Sequence, residues 1–275
     1  MKITFWGTRG SIPVPGKDTV KYGGNTTCVS VETDDDSLIV IDAGTGIKKL
    51  GGYILKKKIN EIYFFLTHSH WDHIQGFPFF VPAYIKDFKI KIFGASPTYE
   101  RFMKIFTGQM KYLYFPVEFK NLSSIITYEK VLKKGSVIKG LKITAMKTIH
   151  PLETHSFKFE INNKKFVFMT DNELDSRNLT NEQYQEFIDF VQNADLLIHD
   201  AQYSKEEYNR YIGWGHSTWE KVVEFSNEAN VKKVYLTHHD PDKTDEQLDI
   251  IEKKAQDYSK STEVFLAREG ITIEI

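Results

Sequence analysis

Thr67-His68-Ser69-His70-Trp71-Asp72-His73 is the stretch on which the reading of this chain turns. It follows Ile62-Tyr63-Phe64-Phe65-Leu66, an apolar and partly aromatic run that reads as a buried strand. In an extended segment residues two apart point the same way, so His68 and His70 can grip one ion. The turn after them can aim Asp72 and His73 elsewhere, and that spacing suits two ions better than one. Imidazole and carboxylate are donors for zinc, manganese or iron, while the presence of a single cysteine excludes a thiolate cage.

Elsewhere the chain repeats this pattern of an apolar run ending in a donor residue. All nine histidines fall after residue 67. Phe166 to Thr170 leads to Asp171, Leu196-Leu197-Ile198 to His199 and Asp200, Val234 to Thr237 to His238, and the amphipathic Leu141 to Ile149 to His150. Ile39-Val40-Ile41 likewise ends in Asp42. Strands that each deliver a His or Asp at the carboxyl end would gather those groups on one rim, where open α/β sheets place their ligands. In Thr237-His238-His239-Asp240 the match of Leu236-Thr237-His238 with Leu66-Thr67-His68 favours His238, leaving His239 in support. His155 reads as an exposed loop residue and His199 as a structural one just inside its strand end. Asp42 reads equally well as a hydrogen-bond partner that orients a ligand and as a turn aspartate.

Between these runs the apolar period lengthens to that of a helix. Ile47, Leu50 and Ile54 keep helical spacing, as do Tyr184, Phe187, Ile188 and Val191, and then Leu248, Ile251 and Ala255. Thr180 with Gln183, Ser204 with Glu207, Ser217 with Glu220 and Thr244 with Gln247 have capping-box spacing. Strands alternating with helices predict an α/β protein, and without a Pro-, Gly- or Ser-rich linker residues 1–275 are expected to form one domain. With 41% hydrophobic side chains the chain can bury a large core. A net charge of -1 gives no overall footprint for a nucleic acid or an anionic membrane. The first residues are too quickly interrupted for a signal peptide and no apolar run approaches membrane-spanning length, so a soluble, cytoplasmic protein is expected. Cys28 cannot pair within the chain and reads as a small strand residue.

His68, His70, Asp72 and His73 match in full the H-x-H-x-D-H signature of the metallo-β-lactamase superfamily, which the sequence resembles along its length. The resemblance implies a four-layer αββα sandwich with two divalent metal ions at one edge. It implies that His68, His70, His150 and Asp171 hold one ion and that Asp72, His73, Asp171 and His238 hold the other. Zinc is the metal expected, with manganese or iron as alternatives. Gly215-His216-Ser217-Thr218, and the opening Gly7-Thr8-Arg9-Gly10-Ser11 followed by Pro13, resemble the phosphodiesterase branch of transfer-RNA 3′-end nucleases and cyclic-nucleotide phosphodiesterases. There the matching histidine helps protonate the leaving oxygen. That implies a catalytic set of His216 as general acid, Asp200 as the carboxylate orienting it, and Asp72.

Two ions about 3.5 to 4 Å apart can acidify a shared water and stabilise charge on a phosphoryl or acyl group. The expected activity is hydrolysis of a small phosphodiester such as a cyclic nucleotide. The Gly- and Pro-rich arm with which transfer-RNA nucleases grip RNA has no match here, which with the net charge argues against a large RNA substrate. Lactone or thioester hydrolysis and RNA 3′-end cleavage are the alternatives. Relatives that reduce oxygen on two irons carry an acidic residue where His70 stands, so hydrolysis is favoured. A binding protein that has lost catalysis is disfavoured by the full set of donors. Tyr99, Phe102, Phe106, Tyr112, Tyr114, Phe115 and Phe119 read as a lid that stacks a base, as core, or as a homodimer contact.

Overall fold

The computed structural model describes residues 1–33, 37–57, 59–94, 99–129 and 135–275. Its first half runs β1 (Lys2–Gly7), β2 (Cys28–Glu32), β3 (Leu38–Ile41), α1 (Ile47–Ile54), β4 (Glu61–Leu66), α2 (Trp71–Ile74), β5 (Lys89–Gly94), α3 (Tyr99–Gln109) and β6 (Ile125–Glu129). Next come β7 (Ser136–Ile138), β8 (Leu141–Lys147), β9 (His155–Ile161), β10 (Lys164–Met169), α4 (Asn181–Val191) and β11 (Leu196–Asp200). The chain ends with α5 (Lys205–Tyr208), α6 (Trp219–Glu228), β12 (Lys233–Thr237), α7 (Asp245–Tyr258), β13 (Glu263–Leu266) and β14 (Thr272–Glu274).

The strands make two sheets, ordered β14-β1-β2-β3-β4-β5-β6 and β7-β8-β9-β10-β11-β12-β13. Each begins with antiparallel pairings and turns parallel partway, at β3 in the first sheet and at β10 in the second. Parallel neighbours require crossovers, and the helices that supply them cover the outer faces.

Alternation along each strand sorts the core into three layers of side chains. Ile39, Ile41, Phe65 and Phe93 of the first sheet meet Phe157, Phe159, Phe166, Phe168 and Ile198 of the second in the middle layer. Val40, Phe64, Ile90 and Ile92 face outward onto α1 and α3 through Ile47, Leu50, Phe102 and Phe106. Val167, Leu197 and Val234 do the same onto α4, α6 and α7. The result is the αββα sandwich that the resemblance implied.

The helical periodicities fall on α1, α4 and α7, and Cys28 is a fully buried residue of β2. Thr180 and Thr244 form reciprocal capping boxes with Gln183 and Gln247, and the Ser204 amide donates to Glu207 Oε2 at 2.8 Å. Ser217 departs from the pattern. Helix α6 is capped one residue later by Thr218, whose hydroxyl accepts from the Lys221 amide, because the Ser217 hydroxyl donates to Asn172 O and accepts from Leu174 N. His155 is not a loop residue but the half-buried first residue of β9, its amide bound to Thr67 O at 3.1 Å. The aromatic segment divides. Phe102 and Phe106 are core, while Tyr112, Leu113 and Tyr114 are exposed. No described helix is long and apolar enough to cross a membrane.

Candidate metal centre

The donor residues stand past the carboxyl ends of parallel strands, except His150, which follows the antiparallel strand β8. His68 lies two residues past β4, Asp171 two past β10, and His238 immediately past β12. Asp42, Asp171 and His238 have φ of 60°, 58° and 58°, so at each position the chain turns sharply out of its strand through the left-handed region. That conformation is uncommon for residues other than glycine and is held here by the surrounding contacts.

These turns bring two donor groups together. His68, His70, His150 and Asp171 each offer a ligand atom within 4.8 Å of the others, as do Asp72, His73 and His238. Asp171 faces both groups. Its Oδ2 lies 3.2 Å from His68 Nε2 and from His73 Nε2, and its Oδ1 lies 3.5 Å from His238 Nε2. All seven residues expected to be ligands therefore meet in one place. His68 Nε2, His73 Nε2 and Asp171 Oδ1 are buried and make no hydrogen bond despite this proximity. Orphaned polar atoms at such a density need an explanation. Donors each about 2.0 to 2.1 Å from a tetrahedral ion stand about 3.3 Å apart, so the spacing fits a metal centre.

Charge agrees with that fit. Burial would raise the Asp171 carboxyl, but His238, His73 and His68 hold it well below the usual carboxylate range. Asp72 is likewise held down against burial by His73 and His238. Burial pushes His150 down to about 4 and holds His68 well below its usual range, keeping both rings neutral and able to ligate. His73 is driven up instead, because Asp171, Asp72 and Asp42 outweigh its desolvation, so a cation binding there competes with a proton.

A surrounding layer fixes the ring orientations. Asp42 Oδ2 lies 2.7 Å from His73 Nδ1, and its carboxylate also accepts from the Thr67 amide and hydroxyl. Gln202 Oε1 lies 3.1 Å from His238 Nδ1. The Ser11 amide donates to Asp72 Oδ2 at 2.8 Å. Next to it Arg9 is fully buried, its guanidinium bound to the carbonyls of Gly23, Asp240 and Lys243, so the opening motif ties the first strand to the loop after His238. His239 points away, its Nε2 on Ala267 O at 2.8 Å, with burial pushing it down to about 3. His199 is fully buried, with Nδ1 2.7 Å from Asp200 O, as its structural reading expected.

His216 stands beside this cluster, its ring centroid 4.7 Å from that of His238 and 5.5 Å from that of His150. Its Nδ1 lies 3.5 Å from Asp200 Oδ2. Asp200 accepts from the amides of Asn172 and Ser217, so the same carboxylate braces the segments carrying Asp171 and His216. Glu173, absent from the sequence expectations, accepts from the Tyr208 hydroxyl and the amides of Gly213 and Gly215. Gln202 and Asn172 are likewise absent from the sequence expectations, and Ser11 enters them only as part of the opening motif. The one visible signal for Glu173 was the alternation of acids in Asp171-Asn172-Glu173-Leu174-Asp175 directly after a donor.

Ribonuclease Z of Picrophilus torridus is 25% identical to this chain over 315 aligned positions, covering 100% of the chain and 96% of that protein. The metallo-β-lactamase fold protein YhfI of Bacillus subtilis superimposes with a TM-score of 0.73 at 20% identity, covering 100% of this chain and 99% of that one. Yeast PDE1 gives a TM-score of 0.70 at 16% identity, with 100% and 99% coverage. The model of the family described as anti-Pycsar protein Apyc1 matches residues 1–265. The chain has the metallo-β-lactamase fold, is a metal-dependent hydrolase and belongs to that anti-Pycsar protein Apyc1 family.

Proposed function

We propose that residues 1–275 act as one hydrolase domain that cleaves a small phosphodiester, such as a cyclic nucleotide, with His216 as general acid. The observation that carries this reading is the His216 ring held beside a complete donor set, with Asp200 behind its Nδ1. His216 also offers a ligand atom within 4.8 Å of Asp171 and His238, but Asp72, His73, Asp171 and His238 would make a full set for one ion and would leave His216 to meet substrate. Two divalent ions, zinc by the nitrogen and oxygen character of the donors, with manganese or iron as alternatives, would supply an acidified water and positive charge at the phosphoryl oxygens. His68, His70 and His150 with Asp171 would hold the first ion. Asp72, which the Ser11 amide fixes on one oxygen, would join the second set and help position the attacking water. His216 would deliver a proton to the leaving oxygen, with Asp200 supporting the ring's charge through Nδ1.

Similarity to ribonuclease Z supports a second reading, RNA 3′-end cleavage. Against it, the alignment spans 315 positions for 275 residues, so that relative carries residues with no counterpart here. The net charge of -1 also gives RNA little to hold.

The test is a parallel assay of zinc- and manganese-loaded protein on cyclic nucleotides, bis(4-nitrophenyl) phosphate, a lactone and a transfer-RNA precursor. Cyclic-nucleotide turnover that falls about a hundredfold in His216→Ala, with metal content retained, is the expected result. Lactone turnover without phosphodiester turnover overturns the reading, and an unchanged rate in His216→Ala removes that residue from the mechanism.

A further inference from the structure

We propose that Glu173 is a positioning residue for His216: its carboxylate fastens the Gly213–Gly215 loop against His150 and so holds the His216 ring over the donor cluster. This rests on the reading of His216 as general acid. Glu173 is 2% exposed. Its Oε1 accepts from the Tyr208 hydroxyl at 2.6 Å and the Gly213 amide at 2.7 Å, and its Oε2 from the Gly215 amide at 3.1 Å. Hydrogen bonds to an ionised acceptor are the stronger kind, and burial keeps water from replacing them.

What those bonds hold is specific. Gly215 has φ of 90°, and its carbonyl lies 3.2 Å from His150 Nδ1. The next residue is His216. On its far side the chain has separate anchors, the Ser217 amide on Asp200 Oδ2 at 2.9 Å and the Thr218 amide on Asp175 Oδ2 at 2.9 Å. Weakening Glu173 therefore frees only the approach to His216 and leaves the start of α6 tied. A displacement of about 1 Å at a catalytic group can cost about a hundredfold in rate, so a partly released loop is enough to matter.

Glu173→Gln is a selective break. Its amide oxygen can keep the Tyr208 and Gly213 bonds, while its NH2 group meets the Gly215 N–H donor to donor. The first readout is amide hydrogen exchange, with and without bound zinc. Exchange at Gly213 and Gly215 is expected to rise about tenfold while Val222 and Val223 of α6 stay protected. The second is the leaving group. kcat is expected to fall about tenfold on methyl phenyl phosphate, whose leaving oxygen needs a proton, and hardly at all on methyl 4-nitrophenyl phosphate, with KM unchanged on both. Tyr208→Phe, which keeps both amide bonds, should show the same pattern at smaller size and decides the matter if Glu173→Gln does not fold. Unchanged exchange at Gly213 and Gly215, or equal losses on the two esters, overturns the proposal. His216→Ala run alongside separates the two ideas. If it loses both esters equally, the acid reading fails; if its loss follows the leaving group and that of Glu173→Gln does not, only the role of Glu173 fails.

Discussion

Asp42 shows how much one side chain can decide. Its carboxylate takes the Nδ1 side of His73 and leaves Nε2 facing the donor cluster, while Thr67 holds the carboxylate from two sides. The sequence left Asp42 divided between a turn residue and a ligand-orienting one; with φ of 60° and that hydrogen bond it is both. Asp42→Asn keeps the size of the side chain but replaces one acceptor with a donor. Partners of this kind are worth about 10- to 100-fold in metal affinity, so zinc competition with a chromogenic chelator should show a loss in that range at the His73 set. Unchanged retention of both ions would separate Asp42 from the metals. The donors themselves were legible because imidazole and carboxylate after an apolar strand carry their chemistry in their identity. Gln202 and Glu173 were not. A glutamine or glutamate in a loop is commonplace, and their partners lie 36 and about 40 residues away, a distance that only the fold closes.

Among elements, the loop from Gly213 to His216 depends on glycine for more than flexibility. A Cβ on Gly215 would fall 1.9 Å from His150 Nδ1, at a φ of 90° that strains any L side chain. Gly215→Ala should cost about 1 to 3 kcal/mol of stability in a melting experiment and release zinc, because the His150 ring must move. Full metal content at unchanged Tm would show that the loop can yield. The strands that end in donors and most helices were readable here because period and capping act within a few residues. Helix α6 starts one residue late because tertiary demand from Asn172 and Leu174 takes the Ser217 hydroxyl that local spacing would have used as a cap. Long-range pairing of that kind leaves no mark on sequence spacing.

Across the whole molecule, the two sheets share a plan, antiparallel at one side and parallel at the other, and the candidate centre draws on both. His68, His70, Asp72 and His73 follow a strand of the first sheet, while His150, Asp171 and His238 follow strands of the second. Removing divalent ions should therefore loosen the junction at the rim as well as abolish turnover. Ions present at a hundred times their Kd stabilise a native state by about 2.7 kcal/mol, so chelation should lower the Tm, with recovery on adding zinc back. A Tm indifferent to chelator would mean that the protein does not hold the ions tightly. The layered architecture was legible from strand and helix alternation together with the donor motif. The meeting of the two sheets through Phe65, Phe157, Phe159 and Phe166 was not, since aromatic residues on a strand carry no label for the face they will find. That aromatic seam has a further role. A close-packed interior does not compress, so a change in the thickness of the seam appears at the rim as a change in the gap between donors. The hydrophobic middle of the protein is thus also a spacer between the two halves of the donor cluster, and a change of side-chain volume there is expected to shift the donors at the far edge.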